Sequence, residues 1–382
     1  MNASENSPIV TLVGTLPPLK GISPYCAEYA LRLAKDTKVE FIGFKKLYPE
    51  RLYPGGTSCE DLYPIDLDHP NLSIRNILTW YNPISWLWAG LSMKGDIVHV
   101  QWWSYPLAPV FFVLLAVSRL RRKRVFMTVH NVHPHEGGRF GDFLNSLVFP
   151  LADKLIVHSE KNKKELRDFG FDERKIIVLP HHIIRRDRIR KEHASPPKEE
   201  ARIKSGIPLN AKVLCFFGNI RAYKGLDNLL YALDKVRESF PDTLLIIAGQ
   251  PWEPWDKYEL IIKGKGLEPN LLTKLYYLPF HELEILLRAS DLVVFPFKEL
   301  HSASDSVSLA LALGCKVLCT EHLEMPYAED LLFAADSHQE AIADSIIRFF
   351  QDNLEEGSNI KQRAPKELES EMEFSLTSVY QA

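Results

Sequence analysis

The 382-residue sequence has few cysteines, almost no net charge and no apolar run long enough to cross a bilayer. Its five cysteines, Cys26, Cys59, Cys215, Cys315 and Cys319, include no CxxC pair. That excludes the common zinc and dithiol motifs. The number is odd, and Cys215 and Cys315 lie in apolar runs, so these read as reduced core thiols. A net charge of −3 provides no global basic field, and no nucleic-acid partner is expected. The residues from Met1 to Pro8 are polar and lack a signal-peptide layout. The longest apolar run, Pro106 to Val117, falls short of the ~20 residues of a membrane span and reads as a buried helix. A cytoplasmic protein is therefore expected. No GxGxxG follows the first apolar strand, which disfavours a dinucleotide dehydrogenase, and no GxxxxGK[ST] loop occurs. Asp66-Leu67-Asp68 reads as surface loop rather than as a metal-holding carboxylate pair, so no metal is expected.

What is present is an ordinary globular mix, 46% hydrophobic and 25% charged, in a chain long enough for two domains. Short Val/Ile-rich runs alternate with helical stretches, the pattern of a parallel sheet covered on both faces. In the first half these runs are Ile9–Leu16, Val39–Phe44, Asp96–Trp102, Arg124–Val132, Lys154–Ser159 and Lys175–His181. From Arg185 to Gly206 the chain turns charged, with Pro196-Pro197 and no apolar period, which reads as a connection between domains. The pattern then restarts with Lys212–Ile220, Thr243–Gly249, "LYYLPF", Leu292–Phe297 and Cys315–Thr320. The expected organisation is α/β: a Rossmann-like domain over 1–190, a linker over 191–206, a second Rossmann-like domain over 207–350 and a tail over 351–382. The tail's end, "EMEFSLTSVYQA", has an apolar rhythm that suits a short helix packing back. Ligands of such sheets sit outside the carboxyl ends of the strands, so a cleft between the two domains is the expected site.

Four segments carry candidate chemistry. In "FFGNIRAYKGLDNLL" a strand runs into Gly218, Arg221 and Lys224 follow, and a helix starts near Gly225. Glycine lets backbone amides approach an anion, a helix N-terminus favours negative charge, and the two cations suit phosphate oxygens. A plain turn with two solvated cations is the competing reading. In "HSASDSVSLALALGCKVL" Ser302, Ser304 and Ser306 precede an apolar helix, with Ser304 or Asp305 as the N-cap. Its amides suit a second phosphate face, or simply an ordinary capped helix. In "TVHNVHPHE" His130, His133, His135 and Glu136 cluster past a strand. The position is not the helical HExxH of a zinc protease, so hydroxyl-binding polar lining is favoured over a metal site. Gly21, in "PPLKGISPY", sits where a backbone can approach phosphate or sugar, although a turn after Pro17-Pro18 explains it equally. Finally, "WYNPISWLWAG" and the run from Trp102 to Arg124 join aromatics and an apolar helix to Arg119, Arg121, Arg122, Lys123 and Arg124. This suits either a core helix with a cationic C-terminus or peripheral contact with an anionic membrane surface.

Together these segments resemble nucleotide-sugar glycosyltransferases of the GT-B fold, of the glycosyltransferase family 4 type. The resemblance rests on the order and spacing of "LKGISPYCAEYALRLA", "DIVHVQW", "FMTVHNVHPHE", "FFGNIRAYKGLDNLL", "LRASDLVVFPF" and "SDSVSLALALGCKVL". It implies two Rossmann-like domains facing across a cleft, and transfer of a hexose from a UDP- or GDP-sugar to a glycan or lipid-linked acceptor, with retention and no cofactor. His130, Arg221 and Lys224 are implied as catalytic. Gly21, Gly218, Asn219, Gly249, Ser304, Asp305, Ser306 and Val307 are implied on the donor side. His133, His135 and Glu136 are candidates on the acceptor side, and for a base if the reaction inverts. Many members carry a Glu-x7-Glu pair where this chain has His301 and Leu309, while Ser304-Asp305-Ser306 is closer to a subgroup with a Ser-Gly-Ser segment. That departure keeps a second expectation open, a protein that binds nucleotide sugar or glycan without transfer.

Overall fold

The computed structural model describes residues 8–19, 22–47, 65–133, 138–179, 196–299, 304–320, 331–334, 336–355 and 376–381, with backbone alone for 138, 139, 305, 331–334 and 353–355. The chain divides into two compact units, Met1–Ile184 with Leu368–Ala382, and Arg185–Glu367.

The first unit runs β1 (Val10–Gly14), α1 (Ser23–Ala34), β2 (Val39–Lys46), β3 (Leu72–Thr79), α2 (Pro83–Ser92), β4 (Ile97–Trp102), α3 (Ala108–Leu120), β5 (Arg124–Val129), α4 (Gly138–Val148), β6 (Lys154–Val157), α5 (Glu160–Asp168) and β7 (Ile176–Val178). Its sheet is parallel throughout, in the order β3-β2-β1-β4-β5-β6-β7. Alternate residues of each strand feed two cores. Val13, Val98, Val100 and Met127 pack with α2 and α3, whereas Leu12, Phe41, Ile97 and Phe126 pack with α1. A 3-10 turn at Leu376–Tyr380 closes the second of these cores, with Leu376, Val379 and Tyr380 buried.

The second unit runs α6 (Lys198–Ser205), β8 (Lys212–Phe217), α7 (Leu226–Ser239), β9 (Thr243–Ala248), α8 (Asp256–Lys265), β10 (Leu271–Lys274), α9 (Phe280–Ala289), β11 (Leu292–Phe295), α10 (Asp305–Ala312), β12 (Val317–Thr320), β13 (Leu331–Ala334) and α11 (Gln339–Glu355). The parallel order β10-β9-β8-β11-β12-β13 is the doubly wound arrangement. In both sheets the strand order reverses beside the unit's first strand, between β1 and β4 and between β8 and β11. In such a sheet, ligands bind where the chain leaves the strands at that reversal.

Four features depart from the sequence reading. Strand β3 has no apolar run because it is an edge strand, largely exposed, with Arg75 ion-paired to Glu40 of β2 at 2.7 Å. Within the expected linker, α6 is an anchored helix. Its Ala201 and Arg202 are buried, and the Arg202 guanidinium donates to the Ala289 carbonyl at 3.0 Å and to Asp291 at 2.9 Å. Its outer face is charged, which is why the segment read as a connection. "LYYLPF" is not a strand. The strand is the preceding Leu271–Lys274, and Pro279 caps α9 at the end of the aromatic run. Helix α11 continues past 350 into the segment read as tail, whose end is the short, buried 3-10 helix described above.

Candidate functional site

The second unit builds a cradle at its reversal point. The buried strand β8 ends at Phe217, and Gly218 follows with φ of +105°. The loop from Gly218 to Gly225 continues alongside the segment that leaves β9. The Gly218 amide donates to the Ala248 carbonyl at 2.9 Å, the Ile220 amide to Gln250 at 2.9 Å and the Trp252 amide to Ile220 at 3.0 Å. This ladder needs a glycine at 249, since a Cβ there would stand 2.0 Å from the Gly218 carbonyl oxygen. Asn219 lies between, half-buried. From the other side, Lys298 past β11 donates its amide to the Tyr223 carbonyl at 2.7 Å and pairs its ammonium with Asp227 at 2.6 Å.

Lys224 is 7% exposed, and its Nζ lies 5.7 Å from the centre of the Phe297 ring. Helix α10 brings Ser306 to the same place. A Cβ built on Gly218 would fall 2.7 Å from Ser306 Oγ and 2.8 Å from Lys224 Nζ. The bare glycine backbone, the ammonium and the hydroxyl therefore converge at the N-terminus of α10. Ser304 is the N-cap, accepting from the Val307 amide at 3.4 Å, and the Ser308 amide reaches the Ser304 carbonyl at 3.0 Å. The amides of Asp305 and Ser306 are the ones that the helix itself cannot satisfy. Val307 is buried, with its amide taken by the cap. Positive end, ammonium and hydroxyl together suit phosphate oxygens.

Arg221 takes a different position from Lys224. Its guanidinium lies over the Trp252 ring at 4.0 Å from the centre. Cation–π stacking holds the planar fork in one orientation. Trp252 was not singled out in the sequence. Its only signal is an aromatic placed just past the carboxyl end of β9.

In the first unit a histidine cluster gathers along β4 and past the ends of β5 and β6. His130 follows β5, is 7% exposed, and donates its amide to the Trp102 carbonyl at 2.9 Å. Its Nε2 meets Gln101 Oε1 at 3.0 Å, and its ring meets Tyr25 edge-on at 4.7 Å and His158 at 5.1 Å. Gln101 turns its amide nitrogen toward His99 Nε2, at 3.4 Å, so its oxygen accepts from His130 and the Nε2 of His130 carries a proton. His99 is fully buried between Thr128 at 2.8 Å and the Tyr380 hydroxyl at 2.7 Å. Burial, with a smaller contribution from His158, lowers its pKa to about 3, so it is neutral at physiological pH. Neither Gln101 nor His99 was a sequence candidate, although both lie on the quoted strand "DIVHVQW".

His133 lies further out, paired with Asp142 at 3.0 Å rather than with His130. Gly21, His135, Glu136, His301 and Ser302 lie outside the described residues, as does the side chain of Asp305. Leu309 is a buried residue of α10. The run from Trp102 to Arg124, where a membrane face is one expectation, divides between core and surface. Trp102, Leu107, Val110, Phe111, Leu114 and Leu115 are buried in the core, leaving mainly Phe112, Leu120 and the cations outside. Among the described residues no helix is long and apolar enough to cross a membrane.

Comparison with known proteins agrees with this two-part organisation. The model for Glycosyltransferase Family 4 matches residues 20–184, and that for Glycosyl transferases group 1 matches residues 197–367. A D-inositol 3-phosphate glycosyltransferase of Corynebacterium urealyticum is 31% identical over 60% of this chain and 56% of its own length. A UDP-N-acetylglucosamine–N-acetylmuramyl-(pentapeptide) pyrophosphoryl-undecaprenol N-acetylglucosamine transferase of Desulforudis audaxviator is 28% identical over 40% of this chain and 37% of its own. The chain thus spans little more than half the length of the first of these curated relatives and less of the second. Among solved structures, Anabaena HepE in complex with UDP and glucose superposes with a TM-score of 0.66, 14% identity and 91% coverage of both chains, a likeness of fold.

Proposed function

The chain belongs to the GT-B glycosyltransferases of the family 4 type, and from that premise we propose that it transfers a hexose from a UDP- or GDP-sugar to a glycan or lipid-linked acceptor, in cell-surface polysaccharide or glycolipid synthesis. The observation that carries this reading is the meeting of Lys224 Nζ and Ser306 Oγ over the bare backbone of Gly218, at the N-terminus of α10.

When a nucleoside diphosphate leaves an anomeric carbon, negative charge gathers on its phosphate oxygens. Groups already aimed at that charge stabilise the transition state more than the ground state, usually the largest single catalytic effect. Lys224 supplies a point charge in a nearly buried setting, where it acts more strongly than in water. The first amides of α10 and the Ser306 hydroxyl supply donors. Arg221, oriented by Trp252, supplies a fork for a second set of oxygens. With that much positive potential from the chain itself, the reaction is proposed to need no metal. His130 is the proposed sugar contact. Family likeness supports retention at the anomeric carbon.

The test is turnover of a panel of UDP- and GDP-sugars. Lys224→Ala should lower it by about 10²–10³-fold and leave the fold intact, and unchanged turnover would sink the reading. A second reading, binding of nucleotide sugar or glycan without transfer, is favoured by one observation. Buried Leu309 stands where many members place a carboxylate, and it has no polar group to offer. Donor binding with neither transfer nor hydrolysis for any acceptor would decide for it.

A further inference from the structure

Helix α2 carries its apolar side outward. Ile84, Leu87, Trp88 and Leu91 recur at i, i+3, i+4 and i+7, and all are between 48% and 78% exposed. On its other side Trp86 and Ala89 are buried, Trp86 donating to the Thr79 carbonyl of β3 at 2.7 Å, and Gly90 faces Val117 of α3. Helix α4 repeats the arrangement, with Phe140, Phe143 and Leu147 exposed at i, i+3 and i+7. Helix α3 packs against both, and its own exposed residues include Phe112 and Leu120. Scattered exposed apolar residues need no explanation, but stripes at helical spacing on neighbouring helices mark an interaction surface.

The charges near the stripes say which kind. Neither α2 nor α3 contains an aspartate or glutamate. Lys94, Arg121 and Arg122, all exposed, stand past the ends of these two helices, with exposed Asp96 near Lys94, while Arg124 turns to the α1 face of the sheet over Phe126. Arg121 is fastened there, its Nη1 donating to the carbonyls of Gly90 and Met93 at 2.9 and 3.1 Å, so its charge faces no carboxylate in that contact. Arg119 is excluded from this set because it pairs with Asp153. At the middle of the α2 stripe the Trp88 ring has the Arg75 guanidinium at 5.3 Å, but Arg75 is paired with Glu40 and, like Arg119, adds no free charge to the border. Outward Trp, Phe and Leu with a cationic border is the composition that settles at the headgroup level of an anionic bilayer.

We propose that the outward stripes of α2 and α4, with Phe112 and Leu120 of α3, seat the first unit on an anionic membrane surface. This moves the contact off the Trp102–Arg124 run, most of whose apolar residues are spent on the core, and onto the helices that flank it. The seating stands apart from the donor cradle. Its consequence for the reaction, selection of the lipid-linked class of acceptor, rests on the transferase reading.

The experiment is co-sedimentation of the full chain, with no substrate present, on vesicles of phosphatidylcholine alone and of phosphatidylcholine mixed with phosphatidylglycerol. The protein should sediment with the mixed vesicles, at least about tenfold less with the neutral ones, and be released by salt. The triple variant Leu87→Gln, Trp88→Gln, Leu91→Gln should lose binding by about tenfold or more with an unchanged circular dichroism spectrum. The pair Lys94→Glu, Arg122→Glu, which touches no apolar packing, should lose the preference for anionic vesicles. Wild-type protein that stays in the supernatant, or variants that sediment as it does, would overturn the proposal. So would a wild-type dimer, blind to vesicles, that the apolar triple variant converts to monomer, since a second copy would then cover the face. Because binding is read without turnover, failure here leaves the transferase reading untouched, and loss of turnover leaves this one untouched.

Discussion

Replacing Gly218 by alanine separates what the cradle does for the fold from what it does for a ligand. At φ of +105° an alanine is strained whatever surrounds it, by about 1–3 kcal/mol. The added methyl would also stand 2.7 Å from Ser306 Oγ and 2.8 Å from Lys224 Nζ. Both are ends of rotatable side chains, so they give way at small further cost to stability, but giving way moves both donors off the oxygens they would hold. Weakening one charge-assisted and one neutral hydrogen bond corresponds to roughly 1.5–3 kcal/mol, or about a 10–100-fold loss of affinity for UDP or GDP. Gly314→Ala is the control. Gly314 also has positive φ, +74°, but its Cβ would meet nothing within 4 Å. Urea unfolding and calorimetric titration of the two variants give the comparison. Both should lose stability, and only Gly218→Ala should lose nucleotide. If Gly218→Ala binds nucleotide as tightly as wild type, Lys224 and Ser306 do not form the binding site.

Other expectations follow from named groups. His99 has a folded pKa near 3, against an ordinary value of 6.5, so between those limits the unfolded chain binds one proton more than the folded one. Stability should therefore fall as pH drops from about 6.5, by up to ~1.4 kcal/mol per pH unit for this group. His99→Asn should flatten the acid limb of unfolding free energy against pH, and an unchanged slope would count against the buried neutral histidine. Arg202→Met removes a buried cation from Asp291 and the Ala289 carbonyl, and should cost about 2–4 kcal/mol in chemical denaturation. A cost under ~0.5 kcal/mol would return α6 to the status of a linker. Transfer activity should survive EDTA, and abolition restored by a divalent cation would show that the cradle's own charge is insufficient.

Much of the fold was legible because fully covered parallel strands write themselves as unbroken Val/Ile runs. What escaped lacks that signature. Strand β3 has one exposed side, α6 buries little beyond Ala201 and Arg202, and β10 sits beside an aromatic run that resembles a strand more than it does. The geometry of the proposed donor cradle was readable because its strand end, glycine, cations and helix start fall within a few consecutive residues, and because α10 announces itself with a serine cap. Trp252 under Arg221, and the line from Tyr380 through His99 and Gln101 to His130, were not readable. Apart from His99 with Gln101 two residues away, those contacts join residues distant in the chain, His99 and Tyr380 by 281 positions, and no local pattern encodes them. The aromatic segment of α2 was legible, but its outward orientation was not. Periodicity reveals that a helix has an apolar side, not which way that side faces.

Lys224 and the start of α10 are proposed to grip the diphosphate of a nucleotide sugar. The most direct measurement is the ³¹P spectrum of UDP, and in parallel GDP, titrated with wild-type protein and with Lys224→Met. The account predicts that at least one nucleotide has both phosphorus resonances shifted or broadened by the wild type and left near their free positions by the variant. Resonances untouched by the wild type, or displaced equally by both proteins, would contradict it.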